Sequence, residues 1–177
     1  MDNNLVYMPV FRLRTEEKKV LHSRQFGKHT YPCVEIIKGS PQKEREPQKN
    51  TLGKNLEDKQ KKSFAEIHLP ILEKINSNKV FVDLPVHFIE TARVNGEVLK
   101  FLRSIVNIRE KRTEAILSLR SLSKKIIPVI STYFNKTNEK NSIILQEKDL
   151  RTAYSVLAFR TFPENFDRDF PQIEKVL

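Results

Sequence analysis

The chain has 177 residues, of which 38% are apolar and 31% charged, with 4 Gly, one Cys and a formal net charge of +10. That length fits a single domain, 1–177, with a core of its own, and is short for a closed eight-unit barrel of about 250 residues. One cysteine excludes an intrachain disulfide, four glycines leave no glycine-rich phosphate cradle, and the lack of an 18-residue apolar run or an early apolar segment gives the expectation of a cytoplasmic chain with no membrane contact.

Val6 to Leu13 reads as the first strand. Thr15 then starts a helix as its N-cap, with Glu16 and Glu17 in the first turn, where the helix dipole favours acids. This helix should stop near Gly27. Thr30 to Ile37 is the second strand, apolar except at Glu35, as for a strand covered on both faces. Residues 40–62 hold two prolines, mixed charge and few apolar side chains, and are expected to be a polar, disordered insertion. Phe64, Ile67, Ile71, Leu72 and Ile75 recur at helical spacing, with Pro70 as a kink or break. Lys79 to Leu84 is the third strand.

After Asn95-Gly96, Val98, Leu99, Leu102 and Ile105 mark another helix. Asn107 to Ser123 is the strongest helical pattern, with Ile108, Ala115, Ile116, Leu119 and Leu122 as a stripe and Arg109, Glu110, Arg112 and Glu114 around it. Lys125 to Thr132 is the fourth strand, 135–139 a polar turn, Ile143 to Tyr154 a helix and Ser155 to Phe162 the fifth strand. A last helix runs from Phe166 to Leu177, interrupted or restarted at Pro171.

The five strand segments end alike: Pro9-Val10-Phe11-Arg12, Pro32-Cys33-Val34-Glu35, Val80-Phe81-Val82-Asp83, Pro128-Val129-Ile130-Ser131 and Leu157-Ala158-Phe159-Arg160. Alternating strand and helix predicts an α/β fold, a parallel sheet of about five βα units resembling a partial (β/α) barrel. Such sheets place their chemistry at the carboxyl ends of the strands. Arg12, Glu35, Asp83, Ser131 and Arg160 should therefore meet at one mouth.

Two uses of that mouth compete. The arginines and carboxylates can simply neutralise one another, since unpaired buried charge is costly. Alternatively, Arg12, Arg160 and Ser131 bind an anion, with Arg14 joining from two residues beyond Arg12 on the same side of an extended strand. A metal reading would use Glu35 and Asp83 to share a Mg²⁺, with His87 as the base. Ser131 lacks a nucleophile elbow. Cys33 reads as a small core residue, and His22, His29 and His68 as surface or helix residues. No zinc spacing and no nucleic-acid-binding motif occurs. The excess of basic residues is spread along the sequence, with no run of five.

The opening Tyr7-Met8-Pro9-Val10-Phe11-Arg12-Leu13-Arg14, the helix beginning Glu16-Glu17-Lys18-Lys19-Val20-Leu21, and Tyr31-Pro32-Cys33-Val34-Glu35-Ile36 resemble the start of the "beta protein" family of phages and bacteria. Phe81-Val82-Asp83-Leu84, Ile127-Pro128-Val129-Ile130 and Ala158-Phe159-Arg160 are similar to its continuation. The resemblance implies repeated β/α units and a setting of phages or mobile elements, hence a role in phage–host conflict. It maps onto Arg12, Arg14, Glu35, Asp83 and Arg160. The chain departs from the family pattern in being shorter and in carrying the 40–62 insertion.

The leading expectation is an accessory factor of such a system, without a cofactor, that binds an anionic ligand, nucleic acid or a partner protein at the mouth. The alternatives are a metal-dependent phosphodiester or nucleotide hydrolase, and a half-barrel completed by a partner chain or a homodimer.

Overall fold

The computed structural model describes residues 7–39, 62–85, 96–131 and 141–177. Five strands form one sheet: β1 (Val10–Phe11), β2 (Cys33–Glu35), β3 (Val80–Asp83), β4 (Ile126–Ser131) and β5 (Ala158–Arg160). Their order in the sheet is their order in the chain, and every pairing is parallel. Each strand is followed by at least one helix: α1 (Thr15–Ser23), α2 (Phe64–Glu73), α3 (Gly96–Phe101) with α4 (Arg109–Leu117), α5 (Ser142–Leu150) and α6 (Phe166–Glu174). This is the expected α/β fold. The strand order is that of an arc of a barrel, and among the described residues the arc is open, with β1 and β5 as its two edges.

Side-chain alternation divides the sheet into two unlike faces. Val34, Ile36, Val80, Val82, Leu84, Ile126 and Ile130 point into the main core, which draws residues from all six helices. Leu21, Leu72, Leu102, Leu119 and Ile143 in it are fully buried. The opposite face carries a small second cluster, Tyr31, Cys33, Phe81 and Ile127, with Val129 and Ala158 against it and no helix residue among its members. Cys33 is thus a core residue, as expected. So all helices pack on one side, and the other side is lined by strand residues and the segments leading into them.

Several elements are shorter than their sequence patterns. Among the described residues the ladder of the first strand spans Val10–Phe11, with an isolated bridge from Tyr7 to Thr30 before it, and the left-handed turn at Leu13 (φ 55°) ends it. Arg14, one residue before the expected Thr15, is the N-cap of α1. Helix α2 starts on Ser63, whose hydroxyl accepts from the Glu66 N–H, and runs through Pro70 without a break. Pro70 is exposed, so the Glu66 carbonyl it leaves without a helical partner faces the solvent side. Helix α3 passes into a turn of π-helix at Leu102–Val106, and α4 ends at Leu117 rather than near 123, followed by a 3₁₀ turn at Arg120–Leu122. Pro171 lies inside α6 without stopping it. The expected insertion at 40–62 falls almost wholly on residues outside the described ones, as does the turn at 135–139.

A candidate anion site at the carboxyl ends of the strands

Parallel register sets the site. Val10 pairs with Cys33 and Phe11 with Val34, so Arg12 emerges beside Glu35; Glu35 pairs with Asp83, and Ser131 with Arg160. All five predicted mouth residues share the face that carries Cys33, Phe81 and Ile127. Four neighbouring strand ends thus deliver two carboxylates, a hydroxyl and a guanidinium, and β1 adds the second guanidinium just past its end.

Glu35 is the hub. Arg12 Nε donates to its Oε2 at 3.1 Å and Arg160 Nη1 to its Oε1 at 2.8 Å. Arg160 Nη1 also lies 2.6 Å from Asp83 Oδ2, an ion contact out of line for a hydrogen bond. Ser131 Oγ donates to the other Asp83 oxygen at 2.8 Å. Behind them, Arg160 Nη2 reaches the Cys33 sulfur at 3.8 Å. The charges are layered: the Glu35 and Asp83 side chains are 4% and 0% exposed, those of Arg160 and Arg12 21% and 40%. Solvent reaches the arginines and not the carboxylates beneath them.

Burial pushes the Asp83 carboxyl up to about 6, with the Glu35 charge adding to it, against the pull of Arg160, the Ser131 hydroxyl and Arg112. Burial would lower the Arg160 pKa, but the charges of Asp83 and Glu35 outweigh it and hold the guanidinium above its ordinary value. Burial, reinforced by the charge of Asp83, pushes the Cys33 thiol up to about 12, which leaves it a neutral packing residue.

Arg14 does not join as expected. The left-handed turn at Leu13 ends the extended alternation, and Arg14 stands exposed at the head of α1. The sequence reading missed what fastens that turn: Glu17 Oε2 accepts from the backbone N–H of Arg12 at 2.6 Å and of Arg14 at 3.3 Å. The signal was present, an acid three residues after the N-cap. His87, the candidate base, lies outside the described residues. Among the described residues no group of three His, Cys, Asp or Glu side chains comes together to hold a metal. Glu35 and Asp83, the candidate Mg²⁺ ligands, turn their oxygens to Arg12, Arg160 and Ser131.

Two more polar residues are buried, Arg112 against expectation and His68 within helix α2. Arg112 was placed beside the α4 stripe, but it is buried, donating to Gln146 Oε1 at 2.9 Å and the Val106 carbonyl at 3.0 Å. The spacing Arg112–Ala115–Ile116–Leu119 would have placed it on the inner face, while Ile108 is exposed. His68 is buried against Phe64, and its Nε2–H donates to the Lys38 carbonyl at 3.1 Å; burial brings its pKa down to about 4.

Among the described residues no helix is long and apolar enough to cross a membrane. The model of the Beta protein family matches residues 7–177, and thereby every residue of the mouth. Neither a curated protein nor a solved structure matches the chain.

Proposed function

The chain belongs to the Beta protein family, and from that premise we propose that it is a binding module which takes an anionic group, phosphate, sulfate-like or carboxylate, at the carboxyl-end mouth of the sheet. The observation that carries this reading is the fork at Glu35: one buried carboxylate holds two arginines side by side, with the arginines on the solvent side. Guanidiniums oriented in advance lose little entropy on gripping an oxyanion, and two of them suit a bidentate contact. Asp83 and Ser131 serve Arg160 from below and need not touch the ligand.

The same geometry gives the hydrolase reading less support, since the oxygens a metal would need are already engaged. The half-barrel reading has an observation of its own: Tyr7, Met8 and Val10 leave large apolar side chains exposed at the open β1 edge. A role in phage or mobile-element conflict rests on the family resemblance alone.

Sulfate, which does not titrate above pH 4, is the probe of choice. Calorimetric titration should detect sulfate binding to the wild-type chain and a loss of about tenfold or more in Arg12→Gln. Affinity should also rise as pH falls from 7 to 5. Protonation of Asp83 removes a negative charge facing Arg160. Equal affinity in Arg12→Gln and wild type would refute the mouth as the site.

A further inference from the structure

The opposite end of the sheet carries charge of a different kind. With every strand parallel, the segments that lead into β2, β3, β4 and β5 all lie at the amino ends of the strands. Residues 24–32 bring Arg24 and Lys28, and residues 74–79 bring Lys74 and Lys79. Residues 118–125 bring Arg120, Lys124 and Lys125, and residues 151–157 bring Arg151. These four segments contain no Asp or Glu at all. Most of the net charge of +10 is therefore gathered on one end of the domain, although the linear sequence gives no basic run.

Three of these cations are spent on the fold. Lys79 Nζ donates to the Lys124 carbonyl, and Lys125 Nζ to the carbonyls of Glu73 and Ile75 at and just past the end of α2. Arg151 pairs with Glu147 on α5. The other five, Arg24, Lys28, Lys74, Arg120 and Lys124, are exposed and make no ion pair among the described residues. Glu73, the last residue of α2, is the acid next to Lys74 in sequence. Hydroxyl and amide side chains, Gln25, Asn76, Asn78, Ser121, Ser123 and Thr152, stand between the cations. Tyr7 is 63% exposed on the same rim, its N–H donating to the His29 carbonyl at 3.2 Å.

We propose that this amino-end face is a second binding surface, separate from the mouth, and that its partner is the phosphate backbone of a nucleic acid. Lys and Arg interspersed with Ser, Thr, Asn and Gln are the side chains that contact phosphate and sugar without reading bases. The face is wide enough. Strands about 4.8 Å apart put the β2 and β5 segments about 14 Å from one another, a span of about four phosphates at about 3.4 Å each along one strand of a duplex. Ile75, Leu119 and Tyr154 of these segments are buried in the core, and Val156 is the one large apolar side chain of the four that is exposed, which leaves little to insert into a lipid surface. The expected binding is independent of sequence and strongly dependent on salt.

Fluorescence anisotropy with a labelled 20-nucleotide oligo-dT and a 20-base-pair duplex tests this, on the full chain between 50 and 200 mM NaCl. The wild type should bind at low salt, with log K falling linearly against log salt. The triple variant Lys28→Gln/Lys74→Gln/Lys124→Gln should bind more than tenfold more weakly at 50 mM, with the slope shallower by about 2 to 3, since each cation adds about 0.7 to 0.9. All three residues are exposed, so an unchanged melting temperature should confirm that the variant is folded. Arg12→Gln should bind the oligonucleotides like wild type, which separates this surface from the mouth. Undiminished binding by the triple variant, loss in Arg12→Gln instead, or binding to phosphatidylserine vesicles but to neither oligonucleotide would each overturn the proposal.

Discussion

The two ends of this sheet handle charge in opposite ways. At the carboxyl end two arginines and two carboxylates are knitted together over a buried floor, and the geometry is fixed by strand register. At the amino end cations outnumber acids outright, lie exposed, and come from connecting segments. Paired, partly buried charge is expensive to disturb and well suited to orienting a small ligand. Unpaired exposed charge contributes little to stability and acts through its field. A charged residue in this chain therefore has to be read by which end of a strand it stands at, before its sequence neighbours are considered.

The largest test of that contrast is Arg160→Ala. It takes the Arg160 guanidinium away from the buried carboxylates of Glu35 and Asp83, and should cost about 3–5 kcal/mol in urea unfolding at pH 7. A cost below about 1 kcal/mol would put the mouth in the class of surface ion pairs and erase the distinction. Next is Lys125→Ala, an amino-end lysine that the fold does use. Losing its bonds to the Glu73 and Ile75 carbonyls should cost about 1 kcal/mol in the same measurement.

The pH dependence sharpens the contrast further. The Asp83 carboxyl titrates near 6 in the folded chain and near 3.8 when unfolded, so the folded state binds more protons between those values. Stability from this group is present below about pH 4 and is lost as pH rises through 6. His68 works the other way: its folded pKa of about 4 lies below 6.5, so its contribution is present above 6.5 and is lost as pH falls towards 4. Asp83→Asn should remove the first trend and leave the second, so the variant loses more stability than wild type on acidification from pH 6 to 4. Parallel pH profiles for the two proteins would mean that Asp83 titrates normally. The smallest effect belongs to Lys124→Gln, which should change stability by no more than about 0.5 kcal/mol.

Much of the mouth was legible in the sequence because strands keep a period of two. Once five segments end in the same register, Arg12, Glu35, Asp83, Ser131 and Arg160 must share a face, and they do. Arg14 escaped that logic because it assumes an extended chain. A leucine at positive φ, held by Glu17, breaks the period at that point. Arg112 was misread for a related reason: the stripe on α4 was traced from Ile108, which is exposed, so a buried arginine passed for a flanking one. The amino-end face was invisible to any scan for basic runs. Its cations come from four segments scattered between residues 24 and 151, and only the parallel topology gathers them.

The central claim is that Arg12 and Arg160, held by Glu35, grip an anion at the mouth. The most direct measurement is a sulfate titration of ¹⁵N-labelled protein, observed at the arginine Nε–H signals. Saturable shifts of the Arg12 and Arg160 signals with a common dissociation constant, while those of Arg24 and Arg120 drift only with ionic strength, is the predicted result. Shifts at Arg24 and Arg120 with Arg12 and Arg160 unmoved would contradict it.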